Sequence, residues 1–179
     1  MHNYCSRLGP ALLGFAMTAN VSASSVTGQI SVNLTLTDAC QVNGAGTGAG
    51  TGINFGTLSF GSETSLFTSA IGEVLSSGGG ALSILCSSGT SPTVTVRTGS
   101  NDGGSLGGTR ALADGSGHFV PYDLYTDAGR TTLLAIDGVI PLATSTGVAQ
   151  TVNIYGKALG KASLPAGAYT DTVSVELAF

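Results

Sequence analysis

Residues 26–36 read VTGQISVNLTL, and their apolar side chains recur at every second position. Polar residues fill the positions between them. A two-residue period places all the apolar groups on one face of a β-strand, here about 36 Å long at about 3.3 Å per residue. The apolar members of this row are Val26, Ile30, Val32, Leu34 and Leu36.

The other end of the chain repeats this alternation. Apolar side chains again occupy alternate positions between residues 172 and 179, with Thr, Ser, Glu and Ala between them. The pattern predicts a second strand with one apolar face. Its apolar members are Val173, Val175, Leu177 and Phe179.

Short apolar runs bounded by Gly, Ser, Asn, Asp or Pro separate these two ends. Such spacing predicts an all-β fold, either a sandwich or a barrel, in a single domain. Residues 66–75 are compatible with a turn or two of helix, residues 44–52 (GAGTGAGTG) with a flexible loop, and residues 99–108 with a mobile surface loop. The predicted strands are residues 53–60, 81–86, 93–98, 120–125, 133–136, 148–155 and 169–179.

Composition supports a chain of short strands and argues against a polyanionic partner. The 179 residues include 28 glycines, and only 9% are charged, against about 25% in ordinary domains. The six basic residues are scattered and the net charge is −4, so we expect no nucleic-acid partner.

The first residues predict export. Arg7 precedes a short apolar core at residues 8–17, and small residues at 21–23 place a signal-peptide cut after Ala23. The alternative is an N-terminus retained in the mature protein. Removal of the signal also removes Cys5 and leaves Cys40 and Cys86, which in an oxidising compartment allow one disulfide; the alternative is two buried free thiols.

Motifs for catalysis or cofactor binding occur only as isolated strings. Ser105 lies in a G-x-S-x-G string, but it has no flanking strand and helix, and His118 is the one histidine after the signal. Residues 44–49 match G-x-G-x-x-G/A but precede a strand rather than a helix. We therefore expect no enzyme activity, no cofactor and no metal site, and we interpret His118 as a solvated turn residue.

Two further polar groups have structural interpretations. Asp123 and Asp127 lie near Arg130, and a turn network explains them at least as well as a catalytic carboxylate pair. Tyr169 stands just inside the last predicted strand, where a tyrosine can hydrogen-bond back over the corner of a sandwich.

Several segments in order resemble the spore coat protein U domain family and, within it, the pilins of archaic, Csu-type chaperone–usher pili. The resemblance spans nearly the whole chain after the signal. The segments that carry it are VTGQI (26–30), Cys40, FGTLSFG (55–61), Cys86, YDLYTDAGR (122–130) and PAGAYTDTV (165–173).

The resemblance implies an incomplete immunoglobulin-like β-sandwich that lacks its final strand. A periplasmic chaperone is expected to fill the gap first, and the N-terminal strand of the next subunit then replaces it at an outer-membrane usher. The implied organisation is a signal at 1–23, a donor strand at 24–36 and a pilin domain at 37–179. The strand that ends at Phe179 would form one lip of the acceptor groove, and its carboxylate would anchor basic residues of the chaperone.

The expected function is therefore a structural pilus subunit at the cell surface, for adhesion and biofilm formation. It would polymerise head-to-tail with other copies or related pilins. The alternative is a secreted monomeric coat or binding protein with a complete sandwich, in which residues 26–36 pair within their own domain.

Overall fold

The structure, a computed structural model, describes residues 22–46 and 52–179. Within these residues every regular element is a β-strand, so the all-β prediction is confirmed. The strands are β1 (Cys40–Val42), β2 (Ala45–Gly46), β3 (Thr57–Leu58), β4 (Ser69–Leu75), β5 (Leu82–Cys86), β6 (Thr93–Gly99), β7 (Arg110–Ala113), β8 (Phe119–Tyr125), β9 (Gly138–Pro141), β10 (Gln150–Val152), β11 (Tyr155–Leu159) and β12 (Val173–Ala178).

The strands form three antiparallel sheets. Their orders are β10-β5-β1-β2, β3-β4-β11-β8-β7 and β12-β6-β9. Inward residues of all three sheets join one hydrophobic core, in which β5 alternates buried and half-buried positions as a strand with one covered face should. The fully buried members include Val42, Leu82, Ile84, Val94, Val96, Tyr122, Leu124, Val152 and Ile154.

The Cys40–Cys86 disulfide is present, as predicted. The two cysteines are directly opposite each other in the β1–β5 pairing, with their Cα atoms 4.0 Å apart and both side chains buried. The bond closes a separation of 46 residues. On the chain-entropy model, closing a loop of this length stabilises the fold by about 4 kcal/mol.

A tight hairpin begins inside the glycine-rich stretch. Asn43 and Gly44 join β1 to β2 with φ angles of 51° and 81°, the left-handed pair that a two-residue hairpin requires and Asn-Gly supplies. The Asn43 side chain also donates to the carbonyl of Asn54 (3.2 Å) and accepts from the amide of Ser83 (3.0 Å). Part of the predicted flexible loop is therefore ordered hairpin, while residues 47–51 lie outside the described residues.

Several predicted elements are wrong in type or extent. Residues 66–75, read as a possible helical turn, contain strand β4, and residues 133–136 contribute only an isolated bridge at Leu133 before β9 begins at Gly138. Of residues 53–60 only Thr57 and Leu58 are strand, and residues 148–155 are split between β10 and β11. Apolar runs in a small β-protein also cover the core without pairing, which run length alone cannot reveal.

The segment that follows β3 lies close against the five-stranded sheet because two paired glycines make room for it. Gly72 of β4 and Gly156 of β11 are directly opposite each other. A Cβ on Gly156 would lie 2.6 Å from Leu58, and one on Gly72 would lie 2.9 Å from the same side chain. Glycine at these positions lets Leu58 and Phe60 reach the core.

Candidate functional site

An apolar groove runs beside the last strand. Its first section is a cavity of about 630 Å³ between residues 52–58 on one wall and residues 171–175 on the other. The floor of this section consists of core side chains from three strands, β5, β6 and β8, and of the residue that precedes β11. They are Leu82, Val96, Tyr122, Leu124 and Ile154.

A second section continues the groove past the start of β12. This cavity of about 790 Å³ is bounded by residues 57–65 and 164–171, with Val120 and Ala158 in its lining. The two sections share Thr57, Leu58, Phe60, Leu112 and Asp171. They are therefore adjacent, and both lie along the segment that follows residue 56.

Strand β12 stands at the edge of its sheet and pairs with β6 on one side. Its inward side chains Val173, Val175 and Leu177 pack on the core but are only half-buried, whereas Val94 and Val96 of neighbouring β6 are at most 1% exposed. Phe179 is 49% exposed. The core is thus incompletely covered along β12, where an edge strand leaves backbone groups available for pairing.

A polar corner holds the start of β12. The Asp171 carboxylate accepts hydrogen bonds from the Tyr122 hydroxyl (2.7 Å), the Ser100 amide (3.0 Å) and the Asn101 side chain (3.1 Å). Just before it, Thr170 pairs with Ala113 at the end of β7. The chain therefore changes partners at this corner, from the five-stranded sheet to β6.

Burial and the neighbouring carboxylate both act on Tyr122. Desolvation is the larger cause, and the hydrogen bond to Asp171 adds to it, so the pKa of the Tyr122 hydroxyl is raised well above its usual value. Tyr122 also makes an edge-on contact with Phe60, with ring centroids 5.9 Å apart. Tyr122 is therefore part of the groove floor and contacts both Phe60 in the groove wall and Asp171 at the corner.

A buried arginine, Arg110, makes contacts near the same corner. Arg110 of β7 is fully buried and donates from Nη1 to the carbonyl of Arg97 (2.8 Å), with Asp102 Oδ1 3.8 Å away. The pairing of β12 with β6 changes register between Val173 and Val175. Arg110 therefore satisfies a backbone carbonyl on β6 beside this irregularity.

The predicted donor residues are exposed. Residues 22–39 adopt no regular secondary structure, so the strand that their alternation predicts is not formed within this chain. The exposed fractions of the apolar row are 97% for Val26, 91% for Ile30, 86% for Val32, 82% for Leu34 and 83% for Leu36. A contiguous exposed apolar row of this kind is uncommon on monomeric soluble proteins.

A known protein family matches most of the chain. A family model described as the Spore Coat Protein U domain matches residues 26–176. The chain belongs to the spore coat protein U domain family. The match begins at Val26, the first apolar residue of the exposed row, and ends within β12.

One solved structure similar to this spore coat protein U domain chain is a chaperone–tip adhesion subunit pre-assembly complex. It comes from the archaic chaperone–usher Csu pili of Acinetobacter baumannii, with 19% sequence identity and a TM-score of 0.48. The similarity covers 81% of this chain but only 40% of the other. No curated protein matches the chain.

The residues singled out as possible catalysts have structural contacts in this family member. Ser105 is buried, with Lys161 Nζ 3.3 Å from its hydroxyl, and neither residue lines the groove. His118 is about half-exposed and its Nδ1 lies 2.7 Å from Asp114 in the β7–β8 turn, as a turn histidine should. No cluster of metal-ligating side chains occurs within residues 22–46 and 52–179.

The carboxylates of Asp123 and Asp127, near Arg130, have separate hydrogen-bond partners. Asp123 accepts from the amide and hydroxyl of Thr109, while Asp127 accepts from the amides of Thr131 and Thr132. These hydrogen bonds, that of Thr132 foremost, lower the pKa of Asp127. The turn interpretation of the two carboxylates agrees with these contacts.

Arg130 and Tyr169 also hold the fold. Arg130 donates to the carbonyls of Gly156 (3.0 Å) and Gly72 (3.2 Å), which ties its turn to β4 and β11. The Tyr169 hydroxyl donates to the carbonyl of Pro165 (3.0 Å), the backward hydrogen bond expected for a corner tyrosine.

The loop at residues 99–108, which its composition predicted to be a mobile surface loop, makes local contacts with the domain. Asp102 accepts from the Gly99 amide (2.8 Å), and Gly104 lies against the ring of Phe119. Among the described residues no helix is long and apolar enough to cross a membrane.

Sequence reasoning named β12 as one lip of the groove but missed the opposite wall and the polar corner. The signal for the wall was present in FGTLSFG, where Phe55, Leu58 and Phe60 stand among glycines that permit close backbone approach. The corner joins Asp171 to residues about 50 and 70 positions earlier, and no local pattern reveals such contacts.

Proposed function

We propose that this chain is a structural subunit of an archaic chaperone–usher pilus and polymerises by donor-strand exchange. Residues 24–36 of one copy would fill the groove beside β12 of the next copy. The observation that carries the proposal is the groove itself, an apolar channel bordered by the open edge of β12.

The groove and the N-terminal row are chemically complementary. The groove needs an extended segment whose alternate side chains are apolar, and Val26–Leu36 offers aliphatic groups on alternate positions. Strand addition to an open edge supplies main-chain hydrogen bonds, while alternate side chains fill pockets. The same segment cannot complete its own fold if it must complete a neighbour's.

The apolar row offers a substantial gross free energy for the contact between copies. Five aliphatic side chains, each worth roughly 1.5–3 kcal/mol when buried, give a gross gain of about 10 kcal/mol before ordering costs. The contact is head-to-tail because donor and groove are different surfaces of one chain. Such a contact builds an open filament rather than a closed ring.

The proposal includes the partners and route that the family resemblance implied. A periplasmic chaperone would cover the groove until assembly, with basic residues on the carboxylate of Phe179, and an outer-membrane usher would exchange it for the donor. Residues 1–23 would direct export, and the fibre would serve adhesion and biofilm formation at the cell surface. Phe179 is half-exposed, which suits a contact of this kind.

Deletion of residues 24–36 tests the proposal. The full chain and the deletion variant are each produced with a co-expressed periplasmic chaperone from a chaperone–usher system. We expect both to form soluble chaperone complexes, but only the full chain to polymerise. A synthetic peptide of residues 24–36 should displace the chaperone from the deletion variant and yield a stable monomer.

The opposite result would favour a monomeric coat or binding protein. In that case the full chain would be stable as a monomer without any chaperone, and the deletion variant would unfold. A scrambled peptide of the same composition is the matched control for the displacement step.

A further inference from the structure

The Cys40–Cys86 disulfide lies where the chain passes from the exposed N-terminal row into the first strand of the domain. The exposed row ends at Leu36, and β1 begins four residues later at Cys40, which is bonded to Cys86, the last residue of β5. Residues 37–39 adopt no regular secondary structure. Tension that reaches the domain along the chain from residue 36 therefore meets the hydrogen bonds between Ala39 and Ser87 and, directly after them, this covalent bond at the first residue of the first strand.

Strand β1 alone is poorly placed to resist tension. It has three residues, and its pairing with β5 begins at Cys40–Cys86 and continues inward through Gln41–Leu85 and Val42–Ile84. A pull that draws Cys40 away from β5 would load these pairs one after another, because ladder hydrogen bonds run across the strands. A bond at the outermost pair prevents this opening.

Beyond the disulfide, the route to the groove is short. Residues 87–92 connect Cys86 to β6, and β6 pairs directly with β12, the strand that borders the groove. The covalent route from residue 36 to the open edge of β12 thus includes one disulfide, one connecting loop and one strand pair.

The opposite wall of the groove lies off this route. Residues 52–60 and β4 are inside the loop that the disulfide closes, and Ile53, Phe55 and Phe60 line the groove. A force applied at the point of closure cannot extend the chain inside a covalently closed loop. Reduction would place this whole segment in series with the load.

We propose that the Cys40–Cys86 disulfide is a mechanical bypass that keeps the groove wall folded while the fibre is under tension. The inference rests on the proposed function, since it takes residues 24–36 as the link to the neighbouring copy. It predicts that the bond in each copy protects the contact between its own groove and the donor strand of the neighbouring copy, in addition to stabilising the fold at rest.

Constant-force stretching of single fibres of the full chain tests the inference. Wild-type fibres are compared with Cys40→Ser/Cys86→Ser fibres and with wild-type fibres reduced after assembly, whose free thiols are titrated. We expect loss of the bond to shorten fibre lifetime under load by about tenfold or more. Before rupture, each yielding subunit should lengthen by about 150 Å more than in wild type, the span of the released loop.

A matched variant separates load from ordinary instability. Leu134 is buried but lies outside the closed loop and the groove lining, so Leu134→Ala lowers thermal stability with the disulfide intact. If its melting temperature is similar to that of the variant without the disulfide, Leu134→Ala should shorten the fibre lifetime under load by no more than about threefold. Its subunits should show no extra lengthening.

The outcomes separate the two proposals. Wild-type chains that form no fibre would overturn the proposed function and this inference with it. Fibres that form normally but have equal loaded lifetimes with and without the disulfide would overturn the inference alone. A loss of lifetime equal to that of Leu134→Ala would do the same.

Discussion

The hydroxyl of Tyr122 donates a 2.7 Å hydrogen bond to the carboxylate of Asp171, which ties the floor of the groove to the corner where β12 begins. Tyr122 is on β8 and its side chain is 3% exposed. The bond fixes the start of β12 relative to the core.

This bond predicts a loss of stability at alkaline pH. The pKa of Tyr122 is raised above its usual 10.0, so its contribution is fully present below pH 10 and is lost as pH rises further and the buried hydroxyl ionises. We expect the free energy of unfolding to fall above about pH 10 in wild type. Urea titrations at several pH values check this.

Tyr122→Phe is the matched variant for this effect. It should cost about 1–3 kcal/mol at neutral pH, because Asp171 loses a buried donor, but its alkaline decline should be shallower than that of wild type. Parallel declines in the two proteins would contradict the assignment.

The turn at Asp127 predicts the opposite dependence at acid pH. Hydrogen bonds from the amides of Thr132 and Thr131 lower the pKa of the carboxyl below its usual 3.8. The stabilisation is therefore present above about pH 4 and is lost as pH falls through the lowered pKa. Thermal unfolding from about pH 2 to about pH 7 should show a smaller acid decline in Asp127→Asn than in wild type. If protonation of this carboxyl has no effect on the fold, the two curves will have the same shape.

The disulfide predicts a resting stability effect that is separate from its role under load. Cys40→Ser/Cys86→Ser should lower the free energy of unfolding by about 4 kcal/mol on the chain-entropy model and the melting temperature by about 10 °C. The fraction of this variant that remains folded should bind a peptide of residues 24–36 as wild type does, since neither cysteine lines the groove. A melting temperature that is insensitive to loss of the bond would contradict this expectation.

The sequence predicted what short-range patterns encode. Alternation identified β12 and the row that begins at Val26, and two cysteines allowed one pairing. It failed where strands depend on distant partners: β4 resembled a helical turn, and residues 53–60 are mostly unpaired although strongly apolar. The Asn43–Gly44 dipeptide is typical of a two-residue hairpin, but the glycine repeat around it predicted a flexible loop instead.

The proposed donor segment predicts that a charge blocks fibre growth at its apolar positions but not at the polar positions between them. Ile30→Asp or Val32→Asp would place a charge in the apolar groove of the neighbour and should abolish fibre growth, since an unpaired buried charge costs far more than a lost aliphatic contact. Electron microscopy and sedimentation of full-length chains measure the outcome. Asn33→Asp adds the same charge at an odd position of the same segment and should leave fibres intact.

The groove predicts the complementary defect. Val175 of β12 faces the core and lines the groove, whereas Ala178 of the same strand is exposed and lines neither section of the groove. Val175→Asp should prevent a copy from accepting a donor, while its own residues 24–36 still enter a wild-type groove. Ala178→Asp adds the same charge on the same strand outside the groove, so it is the matched control and should assemble normally.

Mixing the two defects separates donor from acceptor. A Val32→Asp copy has an intact groove but no usable donor, and a Val175→Asp copy has the reverse. Neither should form fibres alone, but together they should form stable dimers, because the donor of the Val175→Asp copy completes the groove of the Val32→Asp copy. Size-exclusion chromatography with light scattering distinguishes dimers from monomers and fibres. Equal loss of dimers in every combination would mean that residues 26–36 and the groove are not two halves of one contact.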